Sequence, residues 1–399
     1  MARRSANPVK ERERALNLLR RIESESLFAS IALIGESGFI RTLVLGVLRW
    51  RSWLDYAIEK ASGRPIRKLD PVVIDILRTG IYQLRFMDVA THAAVSETVD
   101  LAGRHAKRAR GFVNAVLRRA AEGIAEPEDP ATRFAHPQWL VDRWIRAYGR
   151  ERALAILEAD QQLSYPDALV LDGDPPPGAT WSALVPGVVK LTGSSADLDR
   201  ARFYPMDEGS AVVAAIAASE GTDVLDLAAA PGGKTLYMRW RGARVTSNDL
   251  SLSRLRPLMG KHERIVVSDG RSFPFRRRFQ TVLVDAPCSA TGTIRKNPEL
   301  KWRLQESDLP RFAELQRQLL GAALDSADET CVYSTCSLEP EENDEVIAAV
   351  LAKRTDFARD DIARQTPNGA RGWVRDGVLR LTPESGADGF TAFALRRVN

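Results

Sequence analysis

The sequence contains little cysteine and little histidine, and it has no long apolar run. Three cysteines among 399 residues are too few for a disulfide framework, which favours a reducing, cytoplasmic setting. The four histidines are scattered and no CxxC pair is present, so the sequence predicts no metal site. Because no apolar stretch approaches the ~20 residues that cross a bilayer, and the basic start of the chain lacks the apolar core of a secretory signal, we expect no membrane partner.

Positive charge is concentrated in the first third of the chain. Residues 1–120 hold 22 Lys and Arg against 12 Asp and Glu, whereas residues 121–399 hold 35 against 40. A basic amino-terminal third on a near-neutral remainder predicts a polyanionic partner, most simply a nucleic acid. On charge alone, the alternative is a set of arginine-rich helices whose basic faces are merely solvated.

Periodicity divides the chain into three predicted parts. Residues 1–125 have apolar residues at helical spacing and little β-branched alternation, which predicts an all-α bundle. Residues 126–205 begin as a Pro-rich, acidic linker and continue with a helical stretch and short strand-like pieces, which we interpret as a small α+β adaptor. Residues 206–399 alternate strands with helices, which predicts an α/β domain around a parallel sheet that is covered on both faces.

The strands and helices of this last part can be placed by their apolar runs. Strands are predicted at 223–227, 243–249, 264–269, 281–286 and 330–336, and helices at 210–219, 233–241, 303–326 and 341–354. The runs "VLRLTP" and "FTAFALRRV" have no helix between them, which predicts an antiparallel pair at the edge of the sheet.

The first of these strands leads into a glycine-rich turn, "AAAPGGKT". Ligands of open α/β sheets bind at the carboxyl ends of strands, where glycine lets the backbone approach them beside the free N–H groups of the next helix. The turn is not a P-loop, because Ala228 stands five residues before Gly233, where that motif has glycine. A purely structural turn would need neither two glycines nor Lys234, so this stretch predicts ligand binding.

Acidic residues end the next two strands. Asp249 lies 22 residues after Leu227, where doubly wound folds place an acid against the two ribose hydroxyls. Asp269 repeats the pattern one strand further on, and we predict that it accepts from the exocyclic amine of adenine. The alternative for Asp249 is a helix cap, although the glycine-rich turn upstream favours ribose. A nucleoside pocket without a phosphate-binding feature fits S-adenosylmethionine as the cofactor.

Two of the three cysteines follow the fourth and fifth strands, in "DAPCS" and "STCS". Cys331 lies inside its strand and is interpreted as a small buried apolar side chain. Cys288 and Cys336 lie where the strands open into the predicted crevice, and neither has a neighbouring histidine. A thiolate, a carboxylate and a methyl donor suit methylation of carbon-5 of cytosine, which becomes nucleophilic once a thiolate adds to carbon-6. Asp285 suits the role of the carboxylate that binds the ring.

Together these motifs resemble the Sun (NOL1/NOP2/Sun) family of RNA cytosine-5 methyltransferases. The stretches "LDLAAAPGGKT", "NDLS", "VDAPCSATGTIRKNPELKW" and "YSTCSLEPEENDEVI" stand in the order of that family. The stretches "GFVNAVLRR" and "HPQWLVDRWIRAYG" look like the amino-terminal portion of its bacterial members, which is similar to the antitermination factor NusB. The resemblance implies an all-α NusB-like domain, a small α+β adaptor and an α/β class I (Rossmann-like) S-adenosylmethionine-dependent methyltransferase domain.

The resemblance also implies roles for individual residues. Cys336 would be the nucleophile, Cys288 would resolve the covalent adduct and release the product, and Asp285 would be the third catalytic residue. The substrate would be a cytidine of 16S rRNA in a precursor of the small subunit, and we expect the protein to be a monomer. The implied cofactor-binding residues are Ala228, Ala229, Ala230, Pro231, Gly232, Gly233, Lys234, Asp249, Asp269 and Asp285.

RNA binding is predicted independently from the stretch at 103–119, which holds six Lys and Arg and no acid. Such a surface contacts phosphates and binds in a salt-dependent way. A second basic stretch follows Cys288, beside the predicted crevice. The alternative for 103–119 is an ordinary basic helix face. The predicted RNA-binding residues are Arg104, Lys107, Arg108, Arg110, Arg118 and Arg119 in the first stretch and Arg295, Lys296 and Lys301 in the second.

Three other functions fit parts of the sequence. The same chemistry on tRNA is one, although the NusB-like region argues against it by resemblance. A non-catalytic RNA-binding assembly factor would be supported by loss of the Thr-Cys cysteine or of Asp285, and both are present. A DNA methyltransferase that uses Cys288 is disfavoured by the Thr-Cys motif and by the basic helical region.

Overall fold

The structure is a computed structural model that describes residues 8–193, 195, 198–272 and 275–398. The start of the chain at residues 1–7 and positions 194, 196, 197, 273, 274 and 399, which belong to the three predicted domains, lie outside the described residues. The chain divides into two compact units. The first extends to Gln161 and also contains Asn297–Arg303, and the second comprises Gln162–Lys296 and Leu304–Asn399.

The first unit is helical, as its apolar period predicts. Its core contains fully buried side chains such as Leu43, Leu54 and Leu117. Its helices, up to the end of the first segment, are α1 (Pro8–Ser24), α2 (Ala29–Ala32), α3 (Gly38–Arg49), α4 (Arg51–Ser62), α5 (Pro71–Phe86), α6 (Thr91–His105), α7 (Arg110–Ala121), α8 (Pro130–Arg133), α9 (Gln138–Tyr148) and α10 (Arg150–Ala159).

The boundary of this unit differs from the predicted one. We assigned residues 126–161 to the adaptor, but the structure places them in the helical unit. Glu126 accepts a hydrogen bond from the indole N–H of Trp53 at 3.0 Å and pairs with Arg85 at 2.8 Å. These partners lie 73 and 41 residues earlier in the chain, so local composition could not reveal them.

The described residues of the second unit form two sheets. The smaller sheet is entirely antiparallel, in the order β2-β3-β1-β4. The larger has the order β11-β12-β13-β9-β8-β5-β6-β7, with β10 also paired to β13. The strands are β1 (Asp167–Val170), β2 (Thr180–Trp181), β3 (Val188–Lys190), β4 (Phe203–Pro205), β5 (Asp223–Asp226), β6 (Arg244–Asp249), β7 (Ile265–Val267), β8 (Phe279–Asp285), β9 (Ala327–Thr335), β10 (Phe357–Asp360), β11 (Val374–Arg375), β12 (Val378–Leu381) and β13 (Phe390–Arg397).

Helices connect the strands of the larger sheet. Those of the second unit are α11 (Glu208–Ala217), α12 (Gly233–Trp240), α13 (Leu252–Leu255), α15 (Leu309–Ser326) and α16 (Asp344–Leu351), whereas the short helix α14 (Leu300–Arg303) lies in the first unit. Strands β5 to β9 run parallel, as predicted, in the order β7-β6-β5-β8-β9. The order reverses beside β5, which creates a crevice at the carboxyl ends of the strands.

The carboxy-terminal strands differ in part from the prediction. β12 and β13 form the expected antiparallel pair, but β13 is not at the edge of the sheet. It lies between β9 on one side and β10 and β12 on the other. The residues from Phe390 to Leu395 are all buried, which suits a strand with neighbours on both sides.

The described residues include neither a membrane-spanning helix nor a cluster of metal ligands. No helix among them is both long and apolar enough to cross a bilayer. They also contain no cluster of three or more His, Cys, Asp or Glu side chains arranged to hold a metal ion.

Candidate active site

Two cysteines meet at the carboxyl edge of the larger sheet. Cys288 follows β8 and Cys336 follows β9, and these strands are parallel neighbours in which Asp285 is level with Ser334. The two loops therefore leave the sheet side by side, and the Sγ atoms of the two cysteines are 3.3 Å apart. Both are unbridged, half-buried thiols. This spacing puts both sulfur atoms within reach of one small group in the crevice.

The contact between these thiols is a hydrogen bond in which either sulfur can be the donor. The hydrogen bond to Cys336, together with burial and the nearby charges of Cys336 and Glu342, raises the pKa of the Cys288 thiol well above its usual value. Cys288 therefore keeps its proton and can donate it towards the sulfur of Cys336. The third cysteine, Cys331, is buried inside β9, where desolvation raises its pKa and leaves it unreactive.

Asp285 ends β8 and is held on both of its oxygens. Its Oδ2 accepts from Lys234 Nζ at 2.7 Å and its Oδ1 from Ser334 Oγ at 2.9 Å. Lys234 also donates to Ser210 Oγ at 2.8 Å, and its ammonium lies 4.9 Å from the centre of the Phe390 ring. We predicted Lys234 as a cofactor ligand, whereas these contacts direct it to the carboxylate beside the cysteines.

The glycine-rich turn after β5 is anchored by the strands around it. The backbone N–H of Ala230 donates to Asp249 Oδ2 at 3.1 Å, and Tyr204 Oη donates to the carbonyl of Pro231 at 2.9 Å. Gly232 has a φ of 109°, and a side chain there would press against Leu258. The turn thus needs glycine at this position, and α12 begins at the next residue.

A buried acid, Asp226, anchors the helix that follows this turn. Asp226, the last residue of β5, accepts from Thr235 Oγ1 at 2.6 Å, and this hydroxyl also contacts Ser247 Oγ at 2.8 Å. Burial raises the pKa of Asp226 to about 7. The contact fastens the first turn of α12 to β5 and β6, an arrangement that the sequence analysis missed.

The two acids predicted to bind a nucleoside have different surroundings. Asp249 is buried and accepts the backbone N–H groups of Ala230 and Ser251, so its carboxylate is fixed beside the glycine-rich turn. Asp269 is more exposed and forms a two-pronged ion pair with Arg271, which lowers its pKa to about 2. Both are therefore held in place, and their contacts with a cofactor stay predictions.

The serines that follow the two cysteines also meet. Ser289 Oγ is 3.0 Å from Ser337 Oγ, and both hydroxyls donate to the buried carboxylate of Glu342. We did not predict a role for these residues. The only hint in the sequence is that each cysteine is followed by serine.

Lys296 lies within the second unit rather than on an open basic surface. Its Nζ contacts carboxylates of Asp167, Asp207 and Asp388. These acids raise its pKa, and Asp207 also caps α11 through the N–H groups of Gly209 and Ser210. Three carboxylates engage this ammonium, so the predicted contact of Lys296 with RNA phosphates would require these ion pairs to break.

The other two basic residues of this stretch are also buried. Arg295 is 6% exposed and donates to the carbonyl of Gly386 at 2.6 Å. Lys301 belongs to the first unit, where it is 1% exposed and donates to the carbonyl of Arg49 at 2.9 Å. Neither side chain is open to RNA, because the motif that follows Cys288 packs into the protein.

The basic stretch at 103–119 is partly open. Arg104 pairs with Glu13 at 3.2 Å and Arg110 with Asp100 at 3.1 Å, and Arg119 donates to the carbonyl of Ala61. The remaining predicted residues are exposed and have no ion pair with any described residue. These are Lys107, Arg108 and Arg118.

The sequence matches two family models, one in each half of the chain. The model described as 16S rRNA methyltransferase RsmB/F matches residues 213–396, and the NusB family model matches residues 9–122. The first match contains β5 to β9, the glycine-rich turn and both cysteines of the site. The second contains α2 to α7 and all of α1 except its first residue, Pro8.

Curated relatives and a solved structure extend over nearly the whole chain. A probable ribosomal RNA small subunit methyltransferase B of Bacillus subtilis (strain 168) is 32% identical, covering 97% of this chain and 98% of the relative. The ribosomal RNA small subunit methyltransferase B of Cronobacter sakazakii is 30% identical, covering 89% of each. The crystal structure of PH0851 has a TM-score of 0.78 and 22% identity, covering 99% of this chain and 100% of that one, which shows a shared fold.

Proposed function

The chain belongs to the ribosomal RNA small subunit methyltransferase B family, and on this premise we propose that it methylates carbon-5 of a cytidine in 16S rRNA through a covalent adduct of Cys336. The methyl donor is S-adenosylmethionine. One observation carries the proposal: the thiols of Cys288 and Cys336 lie 3.3 Å apart at strand ends that also carry Asp285, a carboxylate held by an ammonium group.

The reaction needs a nucleophile because carbon-5 of cytosine is unreactive by itself. Addition of a thiolate forms a bond between sulfur and carbon-6 and moves electron density to carbon-5. We assign this step to Cys336, since its neighbour Cys288 keeps its proton and can donate towards the sulfur of Cys336. S-adenosylmethionine supplies the electrophilic methyl carbon when it is bound.

Asp285 and Lys234 are assigned to the ring of the target base. Charge that develops on the ring after thiolate addition is stabilised by groups that bind N3 and the exocyclic amine. Asp285 is suited to this role because its orientation is fixed by Ser334 and by the Lys234 ammonium at 2.7 Å. The side chain of Lys234 lies at the same end of the site, because it donates to Asp285.

The residues around the glycine-rich turn fit a nucleoside methyl donor. The carboxylate of Asp249 is fixed at the end of β6, where it can accept from ribose hydroxyls. The next residue, Leu250, is 70% exposed, and Val267 at the end of β7 is 47% exposed. Apolar side chains left open beside two fixed acids can cover the faces of a purine ring. The segment Ala228 to Lys234 would lie against the rest of the cofactor, with Lys234 turned to Asp285.

Bisulfite sequencing of rRNA tests the proposed function directly. We expect that cells lacking the gene lose a single protected cytidine in 16S rRNA, because 5-methylcytosine resists bisulfite conversion. Expression of the wild-type chain should restore the protected position, and expression of Cys336→Ala should not. If protection is lost only in tRNA, the substrate is wrong although the chemistry is right. If no cytidine changes in either RNA, the proposal fails.

The exposed part of the basic stretch at 103–119 is proposed to hold RNA phosphates. We expect the double variant Lys107→Glu/Arg108→Glu to weaken binding of a 16S rRNA fragment roughly tenfold or more, because two favourable charges become repulsive. The dependence of log Kd on log salt should also become shallower. Filter binding at several salt concentrations measures both effects, and calorimetry measures S-adenosylmethionine binding, which should not change.

The first unit offers a matched control for this variant. Arg146 and Arg150 are also exposed and have no ion pair with a described residue, but they lie outside the basic stretch. Reversal of both charges changes the net charge equally and should leave RNA affinity within about twofold, since charges away from the contact surface are screened. Equal losses in the two double variants would contradict an RNA-binding surface at 103–119.

A further inference from the structure

One buried carboxylate joins the loops that carry the two cysteines. Glu342 Oε1 accepts from Ser337 Oγ at 2.7 Å and also from Ser289 Oγ, and Oε2 accepts from the backbone N–H of Ser289 at 2.9 Å. Ser289 directly follows Cys288, and Ser337 directly follows Cys336. A single side chain therefore holds the residues next to both thiols.

Further hydrogen bonds fix Glu342 itself. Gln316 on α15 donates to Glu342 Oε2 at 2.8 Å and to the carbonyl of Pro287 at 2.9 Å. Tyr333 Oη donates to the Glu342 carbonyl at 2.6 Å. The carboxylate is 0% exposed, and all four of its donors among the described residues are uncharged.

A charged group is a costly choice for this position. Burying a carboxylate without a cationic partner is energetically unfavourable, and a packed apolar group would avoid that cost. A carboxylate, however, accepts hydrogen bonds on both oxygens and donates none, so it can bind two loops at once. A glutamine at this position would place its NH₂ group, which can only donate, against N–H and O–H groups that also donate.

We propose that Glu342 is a positioning residue for catalysis: by binding Ser289 and Ser337 together, it sets the distance between the thiols of Cys288 and Cys336. The inference rests on the proposed function, because the distance matters to the reaction only if both thiols act on the same base. Glu342 does not touch the base in this scheme and acts through the two loops.

The charge of Glu342 has a second consequence for the same pair. It is one of the groups that hold the Cys288 thiol in its protonated form, after the hydrogen bond to Cys336 and burial. Glutamine at position 342 removes that contribution as well as the acceptor at one of the two oxygen positions. Glu342 thus influences both the positions of the two thiols and which of them carries the proton.

A thiol-bridging reagent tests the distance without RNA and without turnover. Dibromobimane becomes fluorescent when it alkylates two neighbouring thiols, so its rate reports on the Cys288–Cys336 pair in the full chain. We expect Glu342→Gln to slow bridging on the order of tenfold relative to single alkylation of the same chain by monobromobimane, which corrects for a change in thiol reactivity, since a displacement of about 1 Å disrupts a reaction between held groups. Glu345→Gln, an exposed neighbour in the first turn of α16, is the control and should bridge at the wild-type rate.

Methylation kinetics give the second measurement. Glu342→Gln should lower kcat about 100-fold while KM for RNA changes little, because the loops are misplaced and RNA contacts elsewhere are kept. A general folding defect would lower the melting temperature and affect both parameters. If Glu342→Gln does not fold, the double variant Ser289→Ala/Ser337→Ala is used in its place in both assays. It removes the two hydroxyl groups that donate to Glu342.

The outcomes separate this inference from the proposed function. Wild-type bridging and kcat in folded Glu342→Gln, or in the double serine variant, would overturn the positioning role. Slowed bridging together with lowered kcat supports it. If the wild-type chain methylates no cytidine, the proposed function fails. The bridging rates still decide whether Glu342 sets the distance between the thiols.

Discussion

Replacement of Cys336 by alanine is expected to lower methyl transfer to 16S rRNA by a factor on the order of 10⁴ or more. Without a thiolate at carbon-6, carbon-5 of cytosine has no electron density with which to attack a methyl group. Cys288 cannot take over easily, because burial and the charge of Glu342 still raise the pKa of its thiol after the hydrogen bond to Cys336 is lost. The variant should also form no covalent complex with RNA.

Transfer of a radiolabelled methyl group to a 16S rRNA transcript measures this loss. Calorimetry should show S-adenosylmethionine binding close to that of the wild type, since Cys336 is not among the proposed cofactor ligands. Cys331→Ala is the matched control because it removes another cysteine from the same strand region, five residues earlier. That side chain is buried in β9, so we expect a modest loss of stability and retained catalysis.

Other patterns would reassign the nucleophile. Full activity of Cys336→Ala would show that the assignment is wrong. If Cys336→Ala instead accumulated a covalent RNA complex while Cys288→Ala were inert, the roles of the two cysteines would be exchanged. The short distance between the sulfur atoms makes this exchange a real alternative, and the two variants distinguish it.

Much of the fold could be predicted because its causes are local in sequence. The alternation of apolar runs predicted β5 to β9, their parallel orientation and the all-α first unit. Strand ends then located the chemistry, since the carboxyl ends of parallel strands share one edge of a sheet. Asp285 and Cys288 could be placed there from the length of a single apolar run, before any pairing was known.

Contacts between distant segments could not be predicted in this way. Lys234 follows the glycine-rich turn, yet its ammonium reaches Asp285, which is 51 residues away in sequence. Lys296 was predicted as a phosphate ligand because of its charge, but three acids brought together by β1, α11 and the Asp388 loop surround it. Charge in a sequence does not reveal which opposite charge the fold will place beside it.

The serines after the cysteines show the same limit at the site itself. Their repetition was visible in the sequence, but its meaning depends on the register of β8 and β9 and on Glu342. A one-residue shift between these strands would separate the hydroxyls of Ser289 and Ser337. Register is set by packing over the whole sheet, so a motif alone cannot supply it.

The variant Cys288→Ala is expected to stop turnover at a covalent complex between Cys336 and RNA. Carbon-5 carries both its original proton and the new methyl group after transfer, so a base must remove the proton before the bond between sulfur and carbon-6 can break. The sulfur of Cys288 lies 3.3 Å from the Cys336 sulfur, which is bonded to the cytosine in the adduct. This position suits Cys288 to the removal of the carbon-5 proton.

The protonation of Cys288 should change as the reaction proceeds. Its pKa is raised first by the hydrogen bond to Cys336 and also by the charge of that residue. Once the Cys336 sulfur is bonded to carbon-6, it is a neutral thioether and both of these influences are weakened. Cys288 then becomes a stronger acid and can release its proton to solvent, so that its thiolate is available to take the carbon-5 proton. The geometry thus links formation of the adduct to activation of the group that resolves it.

Denaturing electrophoresis with radiolabelled RNA measures the trapped complex. For Cys288→Ala we expect a slowly migrating, protease-sensitive band and at most one methyl group transferred per protein molecule. The double variant Cys288→Ala/Cys336→Ala should show no such band, because it lacks the nucleophile that forms the adduct. Normal turnover by Cys288→Ala without a band would mean that water or another side chain removes the proton. In that case, the 3.3 Å contact would serve only to hold the proton beside Cys336.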